Sequence, residues 1–373
     1  MEGKRILKVV GILTILAGGM FYLSSGRSFT LPRINLTKDP LVLEEKTSQT
    51  KNSTLVYMPF TLKKQTTNGT FTPSSPWRWA VISIAVTPKM SKGYIFCLPL
   101  TVAAWKRIGW HTMIIITGEI EQWKNSSILN IVKQTTLDID NTARFIMMPV
   151  THNPVSYAQV SRSFVVAFAD WLNPDDIVMT SDIDIVPLKG EFYDKVRGNE
   201  IFILNADCCG SFRWKDKTVR MQPMTSIGMS AQNWIQVMNL TPLPENQPYF
   251  VYVNSWLLKY YGRNVTTKNV AKGVNENWYL DQRVVSIQLH MTNIKQNKLR
   301  RQTFRDRVDR AFSGSWTNFK SHVDAHVYLD PLTGNHWDKT LSLITDVFPG
   351  DVADKLKQFK DDFVKAFDAH GMT

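Results

Sequence analysis

The chain has 373 residues, 43% hydrophobic and 11% aromatic, which is enough apolar material for one large domain or two moderate ones and excludes wholesale disorder. Lys and Arg outnumber Asp and Glu by 44 to 32, a net charge of +12 that suits nucleic acid, an anionic membrane surface or anionic small substrates. The basic residues are scattered and no nucleic-acid module signature occurs, so nucleic acid is not expected as a partner; three cysteines, Cys97, Cys208 and Cys209, exclude a disulfide framework and, at this spacing, a cysteine zinc site.

From the N-terminus, Val9 to Leu23 is apolar except for Thr14 and Tyr22, and it follows Lys4, Arg5 and Lys8. Counted from Ile6, the stretch is slightly short of the ~20 residues of a usual span, a shortfall that tilt and snorkelling of Lys8 absorb. We therefore expect a cytosolic tail over 1–5, a transmembrane signal anchor over 6–23 and a luminal remainder, by the positive-inside rule. A cleaved signal peptide has the same pattern and is the alternative. Residues 24–75 are rich in Ser, Thr, Lys, Asn and Pro without a sustained period and read as a stem. Six Asn-x-Ser/Thr sequons, at Asn35, Asn52, Asn68, Asn125, Asn239 and Asn264, agree with luminal exposure. An oxidising lumen would permit one bridge between Cys97 and either Cys208 or Cys209, three buried thiols being the alternative.

The globular body begins near Pro76. Trp79 to Thr87 is a continuous apolar run suited to a strand covered on both faces, and a helix is expected over Tyr94 to Ile108 despite Pro99. Strands follow at Thr112 to Thr117, Arg144 to Val150, Asp176 to Thr180 and Glu200 to Leu204, with helices at Ser127 to Thr136 and Ser156 to Leu172. This half is a succession of βαβ units, so the fold class is α/β with a mainly parallel, doubly wound sheet.

The strand ending at Thr180 runs into Asp182-Ile183-Asp184. Acids two apart point the same way in a strand, and hard divalent cations take carboxylate oxygens together with substrate phosphates. Ligands of doubly wound sheets bind beyond the carboxyl ends of strands at a switch point, which is where these acids should stand. A solvated acidic turn is the plain alternative.

Further along, Met221 to Ala231 reads as a strand whose Gly228 marks a bulge or a close approach of backbone to a sugar. Gln232 to Met238 and Val253 to Tyr261 read as helices. Glu276 to Gln282 opens a helix over Val284 to Leu289, where an acid is ordinarily only a cap. The basic run Lys298, Arg300, Arg301, Arg305, Arg307 and Arg310 reads as a solvated face or a phosphate-approach surface. Val352, Leu356, Phe359, Phe363 and Phe367 share one face of a C-terminal amphipathic helix, assigned to 346–373 and expected to pack.

The anchor, the stem, the βαβ half ending in Ser181-Asp182-Ile183-Asp184, the strand near Gly228 and the segment Trp278-Tyr279-Leu280-Asp281-Gln282 together resemble metal-dependent GT-A-fold glycosyltransferases of the secretory pathway. The likeness implies a catalytic domain over 76–345, with a Rossmann-like nucleotide-binding half and an acceptor-side α/β half. It implies Mn²⁺ or Mg²⁺ on Asp184, and Asp182 reaching the ribose or the metal through water. A downstream histidine would complete the shell, His326 being favoured over His322 and His336. Arg162 would lie near the diphosphate. Asp281 would take the acceptor's proton in an inverting enzyme and only position substrate in a retaining one, with Glu276 as the alternative acid. Trp214, Trp234, Trp278 and Trp316 are candidates for stacking on sugars or for ordinary packing.

The implied partners are a UDP- or GDP-sugar donor and a glycan, glycoprotein or glycolipid acceptor. The implied place is the Golgi membrane as a single-pass type II protein, the endoplasmic reticulum being the alternative. Two other readings compete. One is a catalytically silent relative acting as a binding or scaffold protein. The other is a haloacid-dehalogenase-like phosphohydrolase with Asp182 as nucleophile and Asp184 as acid/base; that motif normally ends its domain's first strand, whereas several βαβ units precede it here.

Overall fold

A computed structural model describes residues 76–87, 92–265, 276–299, 306–311, 316–328, 330 and 332–369, all within one compact unit, Pro73–Thr373. The expected anchor, the stem and the sequons Asn35, Asn52 and Asn68 lie outside the described residues. Among those described, no helix is long and apolar enough to cross a membrane.

The first half runs β1 (Arg78–Val86), α1 (Lys92–Arg107), β2 (His111–Gly118), α2 (Ile120–Asn125), α3 (Ser127–Ile139), β3 (Arg144–Pro149), α4 (Pro154–Ser161), α5 (Val165–Phe168), β4 (Ile177–Thr180), β5 (Ile185–Pro187) and α6 (Gly190–Tyr193). The second runs β6 (Ile201–Leu204), β7 (Ser211–Trp214), β8 (Lys217–Arg220), β9 (Ile227–Ser230), α7 (Ala231–Met238), α8 (Tyr249–Tyr261), α9 (Leu280–Met291), β10 (Gln296–Leu299), β11 (Arg307–Asp309), β12 (Asp324–His326), α10 (His336–Val347) and α11 (Gly350–Ala369).

Seven strands form one sheet in the order β10-β6-β9-β4-β1-β2-β3. β1 pairs in parallel with β2 and β4, β2 with β3, and β6 with β10, while β9 runs against both β4 and β6. The apolar runs explain why helices cover both faces. In β1, Ala80, Ile82, Ile84 and Val86 enter one core while Trp79 and Val81 enter the other; in β2, Ile114 and Ile116 part from Met113 and Ile115 in the same way. A strand with no polar face must be covered twice, each fully buried large side chain being worth roughly 1.5–3 kcal/mol.

The first core takes Phe96 and Leu100 of α1, Leu129 and Val132 of α3, and Phe359 and Phe363 of α11, with the Phe96 and Phe359 rings stacked at 5.1 Å. The second takes Tyr157 and Val160 of α4, Trp234 of α7, Trp256 of α8 and Val284 of α9. Helix α1 continues through Pro99, the missing N–H being outweighed by the burial of Leu98, Leu100 and Val102 around it. At Gly118 (φ +108°) a Cβ would stand 2.1 Å from the Val86 carbonyl oxygen, so only glycine lets the ends of β1 and β2 converge.

Four local expectations are corrected. The helix expected over Ser156 to Leu172 breaks after Ser161 into a 3₁₀ turn, Arg162–Phe164, and the short α5, because the Arg162 side chain is drawn into the site described below. The strand expected from Met221 exists only at Ile227–Ser230; the Gln222 N–H goes to Ser286 Oγ at 2.8 Å and not to a ladder. Gly228 makes room for packing and not for a sugar, since a Cβ there would stand 2.8 Å from Met179 Cε. Cys208 and Cys209 bond to each other, and Cys97 is a free thiol wholly inside the first core.

A second, three-stranded sheet, β11-β12-β5, sits at the end of β4. Its antiparallel register sets His326 opposite Ile185, the residue that follows the paired acids.

Candidate active site

The sheet order creates a switch point between β1 and β4. From β1 the chain passes through α1 to β2 on one side, and after β3 it returns to place β4 on the other side. Two neighbouring parallel strands whose connections part in opposite directions leave a crevice beyond their carboxyl ends. Asp182-Ile183-Asp184 occupies that position directly after β4.

The acids stand on a turn and not within a strand, so they do not point the same way as the two-residue period implied. The Ile185 N–H donates to the Asp182 carbonyl at 3.3 Å. Ile183 is buried in the first core, and Thr101 Oγ1 of α1 donates to its carbonyl at 2.5 Å. With Ile183 as the pivot, the two carboxylates diverge toward separate cations.

On one side, Arg162 donates through Nη1 to Asp182 and, at 2.9 Å, to the Ser181 carbonyl, and through Nη2 to Asp281 Oδ2 at 2.9 Å. The guanidinium and the Asp281 carboxylate are 5% and 4% exposed, whereas Asp182 is 36% exposed. Asp281 lies in the first turn of α9, where the Gln282 N–H donates to Oδ1 at 2.7 Å. Burial pushes the Asp281 carboxyl above the ordinary carboxylate range, and the shared Arg162 offsets only part of that. Burial also opposes the Arg162 charge, but the two carboxylates outweigh it and hold the guanidinium protonated.

On the other side, Asp184 Oδ2 accepts from Arg310 Nη1 at 2.8 Å and stands 3.3 Å from His326 Nε2. His326 Nδ1 stands 3.4 Å from Asp309 Oδ2, and Arg310 Nη1 also donates to the Val327 carbonyl at 3.0 Å. The backbone supports this cluster: Val327 N–H donates to the Asp184 carbonyl at 3.0 Å, and Arg310 N–H to the His326 carbonyl at 3.1 Å. Burial would raise the Asp184 pKa, yet His326 and Arg310 hold it far below the usual range. Burial would lower that of His326, yet the carboxylates on both ring nitrogens raise it.

The chemistry of this second cluster fits a hard divalent cation. It joins a carboxylate oxygen and an imidazole nitrogen, and the Arg310 guanidinium already stands on the carboxylate as a cation. It is not a closed cage: among the described residues no three His, Cys, Asp or Glu are grouped to hold a metal, and Asp182 turns to Arg162. An open shell suits Mg²⁺-like ions, which commonly use one or two carboxylates and leave the remaining positions to water and phosphate oxygens.

Of the expected site residues, Asp182, Arg162 and Asp281 come together around one guanidinium, and Asp184 and His326 around another. The side chain of Glu276 lies outside the described residues. His322 does not share a helical face with His326, because Asp324–His326 is an extended strand and His322 ends a 3₁₀ turn before it. His336 stacks on Tyr328 at 3.9 Å and donates through Nδ1 to the Asp330 carbonyl. Trp234 is a core residue that donates to the Val178 carbonyl, and Trp214 lies flat against Tyr261 at 5.0 Å. Trp278 is half-buried. Trp316 borders the site, donating to the Asp309 carbonyl and stacking on Tyr328.

Arg310 and Asp309 were not singled out as site residues in the sequence. The basic run there looks solvated, yet Arg307 makes a buried two-point pair with Asp324 at 2.5 and 2.6 Å and Arg310 reaches Asp184. The available signal was the alternation Arg307-x-Asp309 facing Asp324-x-His326, complementary charges at strand spacing.

No protein-family model matches the chain, and no curated protein matches it. Among solved structures, the galactosyltransferase LgtC in complex with donor and acceptor sugar analogs is 10% identical, with a TM-score of 0.39 over 74% of this chain and 99% of that one. An active-site mutant of LgtC gives 10% and 0.36 over the same shares. A 4-diphosphocytidyl-2C-methyl-D-erythritol synthase gives 12% and 0.31 over 58% of this chain and 99% of its own.

Proposed function

We propose that this protein is a glycosyltransferase that moves a sugar from a nucleotide-sugar donor, UDP- or GDP-linked, to a glycan, glycoprotein or glycolipid acceptor. The observation that carries this reading is the convergence, at the switch point of the sheet, of the paired acids with Arg162, Arg310, His326 and the buried Asp281. Carboxylates alone repel a diphosphate; carboxylates bracketed by guanidinium groups and an imidazole form a site where cation and diphosphate are held together.

Asp184 and His326 would hold Mn²⁺ or Mg²⁺, which would neutralise charge on the departing diphosphate. Asp182, the more exposed acid, is available to the ribose or to a water on the metal. Asp281 is the base of an inverting transfer. The acceptor hydroxyl gives its proton to Asp281 as its oxygen bonds to the anomeric carbon, and the bond from that carbon to the diphosphate breaks with the electron pair leaving on the nucleotide. A carboxyl already raised by burial is matched to that proton transfer. Arg162 positions Asp182 and Asp281 relative to each other.

Residues 6–23 would anchor the chain in the Golgi membrane with this body in the lumen. The exposure of Asn125, Asn239 and Asn264 supports glycan attachment there. Turnover of a panel of nucleotide sugars by the full-length chain, with and without Mn²⁺, tests the activity. Release of nucleoside diphosphate from one donor, dependent on metal, is expected. A folded chain that turns over none of them would leave the silent binding protein as the better reading.

A further inference from the structure

We infer that Arg310 is an exchangeable counter-ion: its guanidinium neutralises Asp184, and when a divalent cation takes that carboxylate together with a diphosphate, the guanidinium transfers to the diphosphate oxygens. This rests on the metal reading proposed above and deepens it, assigning a movement to a residue that the reading uses only as a fixed charge.

Asp184 Oδ2 carries both Arg310 and His326, and the carboxylate is only 6% exposed. A metal ion that binds both Asp184 Oδ2 and His326 Nε2 replaces the proton that the imidazole shares with the carboxylate, which leaves to solvent, and the ion's charge then opposes the Arg310 guanidinium standing on the same oxygen. His326 is the better anchored. It lies in a strand paired opposite Ile185, and its second ring nitrogen faces Asp309. Arg310 follows the end of β11 and holds the carboxylate through one nitrogen that is shared with the Val327 carbonyl. A guanidinium also suits both positions, since its planar fork binds carboxylate and phosphate alike.

A thermodynamic consequence follows. Metal alone must evict Arg310 with no other anion offered to it, so the free protein binds metal weakly. Metal arriving with a diphosphate supplies the anion that receives Arg310, so each ligand raises the affinity of the other, and by the same factor. Removing the guanidinium should therefore strengthen the binding of metal alone while weakening the ternary complex.

The test is calorimetric titration of Mn²⁺ into the full-length wild-type chain and into Arg310→Gln and Arg310→Lys, each alone and with UDP or GDP, with circular dichroism as the check on folding. Arg310→Gln should bind Mn²⁺ alone at least about tenfold more tightly than wild type, and the nucleotide with Mn²⁺ at least about tenfold more weakly; tenfold corresponds to about 1.4 kcal/mol. Arg310→Lys, which keeps a cation but loses the fork, should fall between, and it carries the test if Arg310→Gln fails to fold. Wild type that binds Mn²⁺ with nucleotide, alongside variants that bind Mn²⁺ alone no more tightly than wild type, would overturn the exchange and leave the metal reading standing. Absence of Mn²⁺ binding in every arm would remove the metal reading and the exchange with it.

Discussion

Asp184 and Asp281 are both almost fully buried acids bonded to arginines, yet they are driven in opposite directions. Asp184 faces two cationic partners, Arg310 and a His326 that also faces Asp309, and is held far below the ordinary carboxylate range. Asp281 shares the single guanidinium of Arg162 with Asp182 and the Ser181 carbonyl, and burial pushes it up. Burial is common to the two; what differs is the cationic charge available to each. An acid that stays ionised is suited to hold a cation, and one that is easily protonated is suited to accept a proton, so environment divides two identical side chains into two roles.

Asp184→Asn should break this contrast most severely. It removes the charge that Arg310 and His326 oppose, a loss of roughly 3–5 kcal/mol in stability for a broken buried pair. Donor turnover should fall by about 10²–10³-fold or more, with metal-dependent nucleotide binding lost in calorimetry. Asp281→Asn should separate the two sides: nucleoside diphosphate binding is retained, while transfer falls by about 10²–10⁴-fold. Equal loss of binding and transfer would assign Asp281 to the donor site.

A finer cut comes from Arg162→Gln. Asp281 must be ionised to act, so activity rises with pH through its pKa, which burial already places above the ordinary range. Without the guanidinium that offsets burial, the acid limb of the pH–rate profile should move upward. The smallest effect is expected at Cys97, which lies behind Asp184. Burial first, and then the Asp184 charge, push its thiol up, so little thiolate exists at neutral pH and native protein should resist iodoacetamide at pH 8.

The same contrast governs what could be read from the sequence. The doubly covered sheet was legible because alternate residues of β1 and β2 feed opposite cores, which a continuous apolar run encodes locally. The paired acids stood out as a motif in residue type and spacing, whereas Arg162 and Asp281 were named only through the family resemblance. Arg310 was legible in neither way: its partner lies 126 residues away, and nothing local distinguishes an arginine bound to a buried acid from one in water. The divergence of Asp182 and Asp184 was missed for a related reason. It depends on Ile183 being anchored by Thr101 of α1, a contact across 82 residues that converts a strand end into a turn.

The metal-dependent nucleoside diphosphate site proposed on Asp184 is tested most directly by the thermal unfolding of the full-length chain with UDP and GDP, each with and without Mn²⁺. A ligand that binds only the folded state raises the midpoint by mass action. One nucleotide should raise it by several degrees, only when Mn²⁺ is present, and Asp184→Asn should abolish the shift. No shift with either nucleotide, or an equal shift in Asp184→Asn, would contradict the assignment.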